Sequence, residues 1–373
     1  MPRRALLLSL ALAGVLGCTD ASAARTTFAV RGDVTAIAFA GDALIVARQR
    51  TDGSLRLERW SPGAPAQTLL RLPRSGEDTT VSLAASAQAL ALGLQPDGGE
   101  DSDPSHVFVG PSAGPLREVA ACKAGLLRPA VAVSGSRIAW PSGGCGEPVS
   151  HPSAFSPVAI VIGGADPAAP LRRIAVGPDA LPMAIMLNGE TGLVGLLRPS
   201  FFHPFNSEVR RLGVSVLGET VTRENGATVT PIGILPSGDT VFGLGGFEEE
   251  ETEDSDEECS AGLFVLAPGS SRRRALSLGG CPIDEFQRSD GGARIAGERV
   301  YAIVAEAGTR RQATRPRPVA LKTVRSDGRD LLVLARGTYR PPRGLATDAA
   351  GRVAWWQRGC TGGSEIVTDD GAG

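Results

Sequence analysis

Residues 34–60 read VTAIAFAGDALIVARQRTDGSLRLERW. Two short apolar runs, 34–40 and 43–47, are separated by the turn-forming pair Gly41-Asp42, and a third run, 55–60, follows Gly53. Short runs that contain β-branched residues and are bounded by Gly, Pro and Asp are typical of β-strands. The stretch therefore predicts three antiparallel strands joined by turns.

The strand–turn–strand pattern returns along the chain at intervals of about fifty residues, which is a period typical of repeat architectures. Seven such units are marked by an apolar second strand, with the anchor residues Leu44, Leu90, Ile138, Leu193, Val241, Val300 and Val353. The strands before these turns favour Ala, Gly, Val and Ile, and small side chains suit strands that converge on a crowded axis. Helical periodicity is scarce in the rest of the chain.

Seven units of this kind predict an all-β fold, a β-propeller with seven four-stranded blades; six and eight blades are the alternatives. The last unit ends at 363–370, about one strand short, and the spare strand is TTFAV at 26–30. Pairing of these N- and C-terminal strands would close the ring and remove an exposed sheet edge. Seven blades use all of residues 24–373, which we predict to form a single domain.

The segment PRGLATDAAGRVAWW (342–356) resembles the strand pair of an NHL-type repeat. More broadly, the units resemble those of bacterial secreted β-propeller proteins with WD40-like, TolB-like or NHL-like repeats. The resemblance covers the whole chain after residue 23. It implies the propeller fold, whereas function does not follow from fold.

The first 23 residues have the features of a secretory signal peptide. Two arginines precede the apolar run 5–16, and ASA at 21–23 gives the small-x-small pattern of a cleavage site. As an alternative, VLGC at 15–18 resembles a bacterial lipobox, which makes Cys18 a candidate for lipidation. We expect a secreted or extracytoplasmic protein of the cell envelope, lipid-anchored if Cys18 is acylated. No later segment is long and apolar enough to predict a transmembrane span.

Five cysteines follow the predicted leader, and an oxidising compartment makes disulfides the default expectation. Cys259 begins the third strand and Cys281 ends the fourth strand predicted for the fifth unit, so the two ends should lie side by side. Cys122 ends the second unit, and Cys145 lies in the long loop of the third unit on the same face. We predict the bridges Cys259–Cys281 and Cys122–Cys145, which leave Cys360 as the odd thiol.

Charge and loop lengths limit the classes of partner. The chain has 38 Lys plus Arg against 40 Asp plus Glu, and a net charge of −2 argues against a nucleic-acid binder. The loops between second and third strands are long and dissimilar, while most other turns are short, so one face of the ring is decorated with variable loops. Candidate partner-contact residues in these loops are Phe201, Phe202, His203, Phe205, Arg310, Arg311, Arg315 and Arg317.

No residue is predicted to have a catalytic, cofactor-binding or metal-binding role. The nine carboxylates between 248 and 258 match no EF-hand spacing, so we expect a mobile, dispensable acidic loop, with a Ca²⁺ site as the alternative. His106, His151 and His203 are interpreted as surface histidines, although a three-histidine metal site is the alternative. No G-x-S-x-G, P-loop or H-E-x-x-H motif occurs in a strand–helix setting.

These observations favour an exported, non-catalytic β-propeller that binds an unidentified protein or envelope component through its decorated face, without a cofactor. The alternative is a propeller enzyme of the metal-dependent lactonase or hydrolase type, or of the quinone-dependent dehydrogenase type. The enzyme families of this architecture place carboxylate, Asn and His ligands at the axial mouth. The predicted inner strands of this chain are instead dominated by Ala, Gly and Val.

Overall fold

The structure is a computed structural model that describes residues 25–74, 79–96, 105–122, 130–142, 158–177, 180–199, 205–246, 261–282, 292–306, 318–339, 341–359 and 363–370. Within these ranges it contains strands, turns and bends but no helix. The strands form seven antiparallel sheets, which are the seven blades of a β-propeller. No helix of the described part has the length and hydrophobicity that crossing a membrane would require.

The first four blades each consist of four consecutive strands, hydrogen-bonded in chain order. Blade 1 contains β2 (Asp33–Ala40), β3 (Ala43–Gln49), β4 (Ser54–Trp60) and β5 (Gln67–Arg74). Blade 2 contains β6 (Thr79–Ala85), β7 (Ala89–Pro96), β8 (Ser105–Pro111) and β9 (Arg117–Cys122). Blade 3 contains β10 (Ala132–Ser134), β11 (Arg137–Ser142), β12 (Ala159–Gly164) and β13 (Arg172–Ala175). Blade 4 contains β14 (Leu181–Asn188), β15 (Thr191–Pro199), β16 (Phe205–Leu212) and β17 (Leu217–Asn225).

The last three blades include two departures from this order. Blade 5 is regular, with β18 (Ala227–Ile234), β19 (Thr240–Gly246), β20 (Ala261–Leu266) and β21 (Arg274–Ala275). Blade 6 contains β22 (Cys281–Pro282), β23 (Ala293–Ala296), β24 (Arg299–Ala305), β25 (Val319–Arg325) and β26 (Leu332–Gly337). Blade 7 contains β27 (Arg343–Thr347), β28 (Val353–Arg358), β29 (Ser364–Asp369) and, from the other end of the chain, β1 (Arg25–Val30).

The ring is closed by β1, as the sequence predicts. β1 pairs antiparallel with β29 from Arg25 opposite Asp369 to Val30 opposite Ser364. The Arg25 Nε and Asp369 Oδ2 atoms are 3.1 Å apart, so the two strands are also joined by an ion pair. The N-terminal strand therefore supplies the outer strand of blade 7, and the predicted N- and C-terminal closure is confirmed.

The hydrophobic core is divided into seven clusters, one between each pair of neighbouring blades. The second strand of blade 1 shows why, because successive side chains of a strand point to opposite faces of the sheet. Leu44 and Val46 belong to the cluster shared with blade 7, whereas Ile45 and Ala47 belong to the cluster shared with blade 2. Both faces are buried, which explains the continuous apolar runs of the second strands.

The inner strand of blade 6 differs from its sequence prediction. Pro282 pairs with Val304 and Ala293 pairs with Ala302, so β22 and β23 occupy the same inner position on β24, separated by an insertion of the chain. The prediction that Cys281 ends the fourth strand of blade 5 is therefore wrong, because Cys281 already pairs with Ala305 in blade 6. Sequence periodicity missed this short strand because two residues carry no alternation to detect.

Candidate functional site

The first strands of the blades surround a cavity on the axis of the ring. Each first strand contacts the first strands of both neighbouring blades, so that β2, β6, β10, β14, β18, β23 and β27 form a closed inner circle. The space enclosed has a volume of about 190 Å³, and residues from all seven blades line it. This axial cavity is the candidate binding site of the described part of the chain.

The residues that line the axial cavity are chiefly aliphatic, although polar atoms form about as much of its surface as apolar atoms do. Ala, Val, Ile and Leu residues come from blades 1 to 5 and 7, and blade 4 adds Met183 and Met186. Met183 lies at a register shift between Pro182 and Ala184, where a β-bulge interrupts the pairing of β14 with β15. Flexible thioether side chains fit ligands of irregular shape. Sequence analysis anticipated the small inner-strand residues but not these two methionines, which are two of the three in the chain.

Four residues with polar side chains line the axial cavity, and three of these side chains make hydrogen bonds within the inner circle. The Thr347 hydroxyl donates to the Ile295 carbonyl at 2.9 Å, and the Ser82 hydroxyl accepts from the Val131 N–H at 3.4 Å. Arg294 donates from Nη1 to the neighbouring Ala293 carbonyl at 2.9 Å. The fourth is Thr230. None of the described lining residues carries a carboxylate, an imidazole or a thiol.

The residues predicted to contact partners are mostly outside the described part. Phe201, Phe202 and His203, the four arginines Arg310, Arg311, Arg315 and Arg317, and the acidic loop all fall in undescribed ranges. Phe205 begins β16, where its backbone pairs with Pro199. Cys18, Cys145, Cys259 and Cys360 are outside the described residues, and Cys122 and Cys281 are described only as strand backbone. The disulfide, lipidation and partner-contact assignments therefore remain predictions.

Only one of the three histidines is described, and it makes local contacts. The Nδ1 atom of His106 lies 2.8 Å from Glu118 Oε1, and its ring stacks on Phe108 at 5.9 Å between centroids. His151 and His203 lie outside the described ranges. Over those ranges, no group of three or more His, Cys, Asp or Glu side chains could hold a metal ion.

One pentapeptide, GPSAG at 110–114, matches the G-x-S-x-G pattern in letters. In the nucleophile elbow of α/β-hydrolases this pattern forms a strand-to-helix turn that exposes the serine hydroxyl. Here it forms the turn between β8 and β9, and Ser112 is 4% exposed. Its hydroxyl donates to the Ala87 carbonyl at 2.7 Å, which joins two turns of blade 2. The Ser112 hydroxyl therefore connects two turns and is not exposed as the serine of a nucleophile elbow is.

The face that carries the turns between first and second strands is held together by polar contacts between blades. The Ser86 hydroxyl donates to Gly135 O at 2.6 Å, and the Gly189 N–H donates to the Ser134 hydroxyl at 2.9 Å. Arg352 donates to the Gly41 carbonyl at 2.5 Å, which joins blade 7 to blade 1. These hydrogen bonds hold together the short turns that the sequence predicts. No local pattern in the sequence indicates which side chain of one turn contacts which backbone group of the next blade.

A buried carboxylate, Glu208, lies in β16, the strand that follows residues 200–204 in the chain. Glu208 of β16 has a side chain that is 3% exposed, and its Oε1 lies 3.1 Å from Arg198 Nε of β15. Its Oε2 lies 2.8 Å from Arg223 Nη2 of β17. Because β15 and β16 end on either side of residues 200–204, this Arg–Glu–Arg triad holds together the strands from which the loop emerges.

The pKa of Glu208 follows from two opposing effects. Burial raises the pKa, whereas the hydrogen bonds and charges of Arg223 and Arg198 lower it, and the net result is a pKa below the ordinary value of 4.5. A carboxyl whose pKa is lower in the folded chain stabilises the fold above its unfolded pKa. This stabilisation is lost as the pH falls through the folded pKa, so the triad should weaken below about pH 4.5.

Replacing Glu208 with Gln should lower the free energy of unfolding at pH 7 by about 2 kcal/mol, because the half-buried Arg198 and the exposed Arg223 both lose a buried carboxylate. The variant should also lose less stability than the parent between pH 5 and pH 3, since one titrating group is gone. Urea denaturation across this pH range measures both effects. The matched control is Glu219→Gln, which breaks the exposed Arg211–Glu219 pair on the same blade and should cost at most about 1 kcal/mol. Equal losses of stability for Glu208→Gln and Glu219→Gln would contradict the stabilising role assigned to the Arg198–Glu208–Arg223 triad.

Comparison with known proteins supports the fold but identifies no family and no function for this chain. No protein-family model matches the chain, and no curated protein matches it in sequence. The β-propeller domain of the Trilobed protease from Pyrococcus furiosus is 11% identical with a TM-score of 0.57, over 92% of this chain and 96% of that one. A solved structure from a study of two prolyl endopeptidases is 14% identical with a TM-score of 0.59, over 91% of this chain and 47% of that one.

A third similar structure is a puromycin-hydrolysing peptidase of Mycobacterium tuberculosis, 15% identical with a TM-score of 0.56, over 92% of this chain and 52% of that one. This chain thus spans about half the length of the prolyl endopeptidase and of the puromycin-hydrolysing peptidase. Identities this low show a shared fold and leave the function open. The structure and its neighbours together show a seven-bladed β-propeller.

Proposed function

We propose that this chain is an exported, non-catalytic β-propeller that binds a small apolar ligand or an apolar group of a partner in its axial cavity. The observation that supports this function is the set of residues that line the cavity, which are mostly aliphatic or methionine, with two threonines, one serine and Arg294. Burial of apolar surface stabilises a complex by roughly 25 cal/mol per Å² before the costs of binding are subtracted. The partner would be a component of the cell envelope.

Export is part of the proposal and rests on the sequence of residues 1–23. The mass of the mature N-terminus after expression in a bacterial host tests it. A chain that begins at residue 24 supports cleavage by signal peptidase, and an acylated Cys18 supports a lipid anchor. An intact Met1 in fractionated envelope or medium would contradict both routes.

Binding in the axial cavity can be tested with toluene as a neutral probe and benzoate as an anionic one. We expect at least one probe to raise the melting temperature in a concentration-dependent way, because a ligand that binds only the folded state stabilises it by mass action. Ala184 lines the cavity but belongs to none of the seven core clusters, so Ala184→Phe should fill the cavity and abolish the probe response. Ala350→Phe, at an exposed turn of blade 7, is the control. A probe response that survives in Ala184→Phe, or none in the parent, would overturn the proposal.

A second candidate function is that of a propeller enzyme with hydrolase activity. Its support is the similarity to propeller-containing peptidases such as the prolyl endopeptidase structure. An assay of the purified chain with prolyl and aminoacyl p-nitroanilides separates the two candidates. We expect no hydrolysis, because the described cavity lining lacks a general base; release of nitroaniline that tracks the purified chain would contradict the non-catalytic proposal.

A further inference from the structure

Arg294 is the one charged residue among the described residues that line the axial cavity. It lies in β23, an inner strand of blade 6, and it is half-buried. Most of the other lining residues have aliphatic side chains. Because charges interact more strongly where water is partly excluded, a guanidinium at this position favours a ligand that carries negative charge.

The pairing of β23 with β24 shows on which side of the strand the guanidinium lies. In an antiparallel pair, the backbone groups of successive residues point alternately toward the partner strand and away from it. The Ile303 N–H of β24 donates to the Gly292 carbonyl at 2.8 Å. The carbonyl of the next residue, Ala293, therefore points away from β24 and toward the axis of the ring. Since Arg294 Nη1 donates to this Ala293 carbonyl at 2.9 Å, the guanidinium lies at the axial edge of β23.

The polar residues of the lining are concentrated on three consecutive blades. Thr347 of blade 7 donates from its hydroxyl to the Ile295 carbonyl at 2.9 Å, which agrees with the axial direction of alternate carbonyls in β23. Thr230 of blade 5 is 7% exposed, and its hydroxyl makes no hydrogen bond with any of the described residues. Blades 5, 6 and 7 thus each contribute one residue with a polar side chain, whereas all the lining residues of blades 1, 3 and 4 have apolar side chains.

We propose that the axial cavity binds a small organic monocarboxylate, with the carboxylate at Arg294 and an apolar body against the side chains of blades 1, 3 and 4. This inference rests on the proposed function, because it assigns a charge to the ligand of the same cavity. The contact with Ala293 uses one of the five N–H donors of a guanidinium, so Arg294 can keep this hydrogen bond and donate to a carboxylate as well. Hydrogen bonds between a guanidinium and a carboxylate are roughly twice as strong as those between neutral groups.

The volume of the cavity limits the ligand to a small molecule. The enclosed space of about 190 Å³ is several times larger than the roughly 30 Å³ that a water molecule occupies in the liquid. A single aromatic ring or a short aliphatic chain with one carboxylate is therefore a suitable ligand, and benzoate is the probe for the test.

The test compares benzoate with benzamide, which has nearly the same shape and no charge. Isothermal titration calorimetry of the parent should give a Kd for benzoate at least about tenfold lower than for benzamide, because only benzoate makes a charge-assisted hydrogen bond. Acetate should also bind at least about tenfold more weakly than benzoate, since it buries less apolar surface. Equal affinities for benzoate and acetate would contradict the apolar body of the ligand.

The outcomes separate this inference from the proposed function. If toluene binds and benzoate binds no more tightly than benzamide, the carboxylate site is overturned and the proposed function stands. If neither toluene nor benzoate binds, both are overturned.

Two substitutions of Arg294 test where the carboxylate binds. Arg294→Met should weaken benzoate binding at least about tenfold and change benzamide binding less than about twofold, because it removes the charge and keeps a long side chain. Arg294→Lys keeps the charge without the planar fork and should retain part of the preference for benzoate. Arg172→Met is the control, because Arg172 is exposed in β13, outside the cavity lining, and should leave both affinities unchanged. An Arg294→Met or Arg294→Lys variant with effects opposite to these, above all an Arg294→Met variant with the parent's Kd for benzoate, would overturn the assignment of Arg294.

Discussion

Deleting residues 1–30 should abolish cooperative folding of the whole ring, whereas deleting residues 1–24 should leave the melting temperature nearly unchanged. The longer deletion removes β1, which forms the outer strand of blade 7 and pairs with β29 over six residues. It also removes Val30, which is 5% exposed in the core cluster between blades 7 and 1. Lost ladder hydrogen bonds and lost burial together should cost on the order of 5 kcal/mol, which is comparable with the total stability of many domains.

Differential scanning calorimetry of the two truncations and the parent provides the measurement. The shorter truncation is the matched control, because it removes the predicted leader and keeps every described residue. The effect should extend beyond blade 7, since each blade shares its core with both neighbours and the ring opens at one interface. A longer truncation that melts in a single transition at the parent's temperature would show that β1 does not close the ring.

Replacing Lys322 with Met should lower the free energy of unfolding by about 3 kcal/mol, the range expected when one partner of a buried ion pair is removed. Lys322 lies in β25 and is 4% exposed. Its Nζ donates to the carbonyl oxygens of Leu278 and Gly279, both at 2.9 Å, and lies 3.3 Å from Glu306 Oε1. The ammonium group therefore joins the chain that leaves blade 5 to the second and third strands of blade 6.

The residue type at this position is informative, because the chain has 38 Lys plus Arg and only two of them are lysines. A compact ammonium can direct its donors at two carbonyls and a carboxylate, whereas a planar guanidinium presents a rigid fork. We therefore expect Lys322→Arg to be destabilising as well, even though this substitution keeps the positive charge. Urea denaturation monitored by tryptophan fluorescence measures both variants.

The control for Lys322 is Arg336→Met, which removes an exposed cation from the same Glu306 carboxylate. Exposed ion pairs contribute little, so this change should cost at most about 1 kcal/mol. Burial raises the pKa of Glu306, and the hydrogen bonds from Arg336 and Lys322 lower it, so that the net pKa lies below its ordinary value. Equal stability losses for Lys322→Met and Arg336→Met would show that the backbone carbonyl contacts of Lys322 contribute nothing.

Most of the architecture was predictable from the sequence by itself. The seven units, the order of strands within blades and the pairing of 26–30 with the C-terminal strand follow from short apolar runs and from Gly and Asp turns. These signals are local: strand periodicity and turn chemistry act within a few residues. Cys281 was assigned to blade 5 but lies in blade 6, in a strand of two residues that is too short to show a periodic pattern.

The candidate site depended on the tertiary structure. The membership of Met183, Arg294 and Thr347 in one cavity, the Glu208 triad and the contacts of Lys322 join residues from different strands or blades. The inner-strand contacts bring together residues roughly fifty or more positions apart, and their side-chain types carry no mark of their partners. The sequence by itself therefore determined the strands and turns within each blade, because strand periodicity and turn residues act over short distances along the chain. What only the tertiary structure decided is which side chains meet between blades, because ring closure sets those distances.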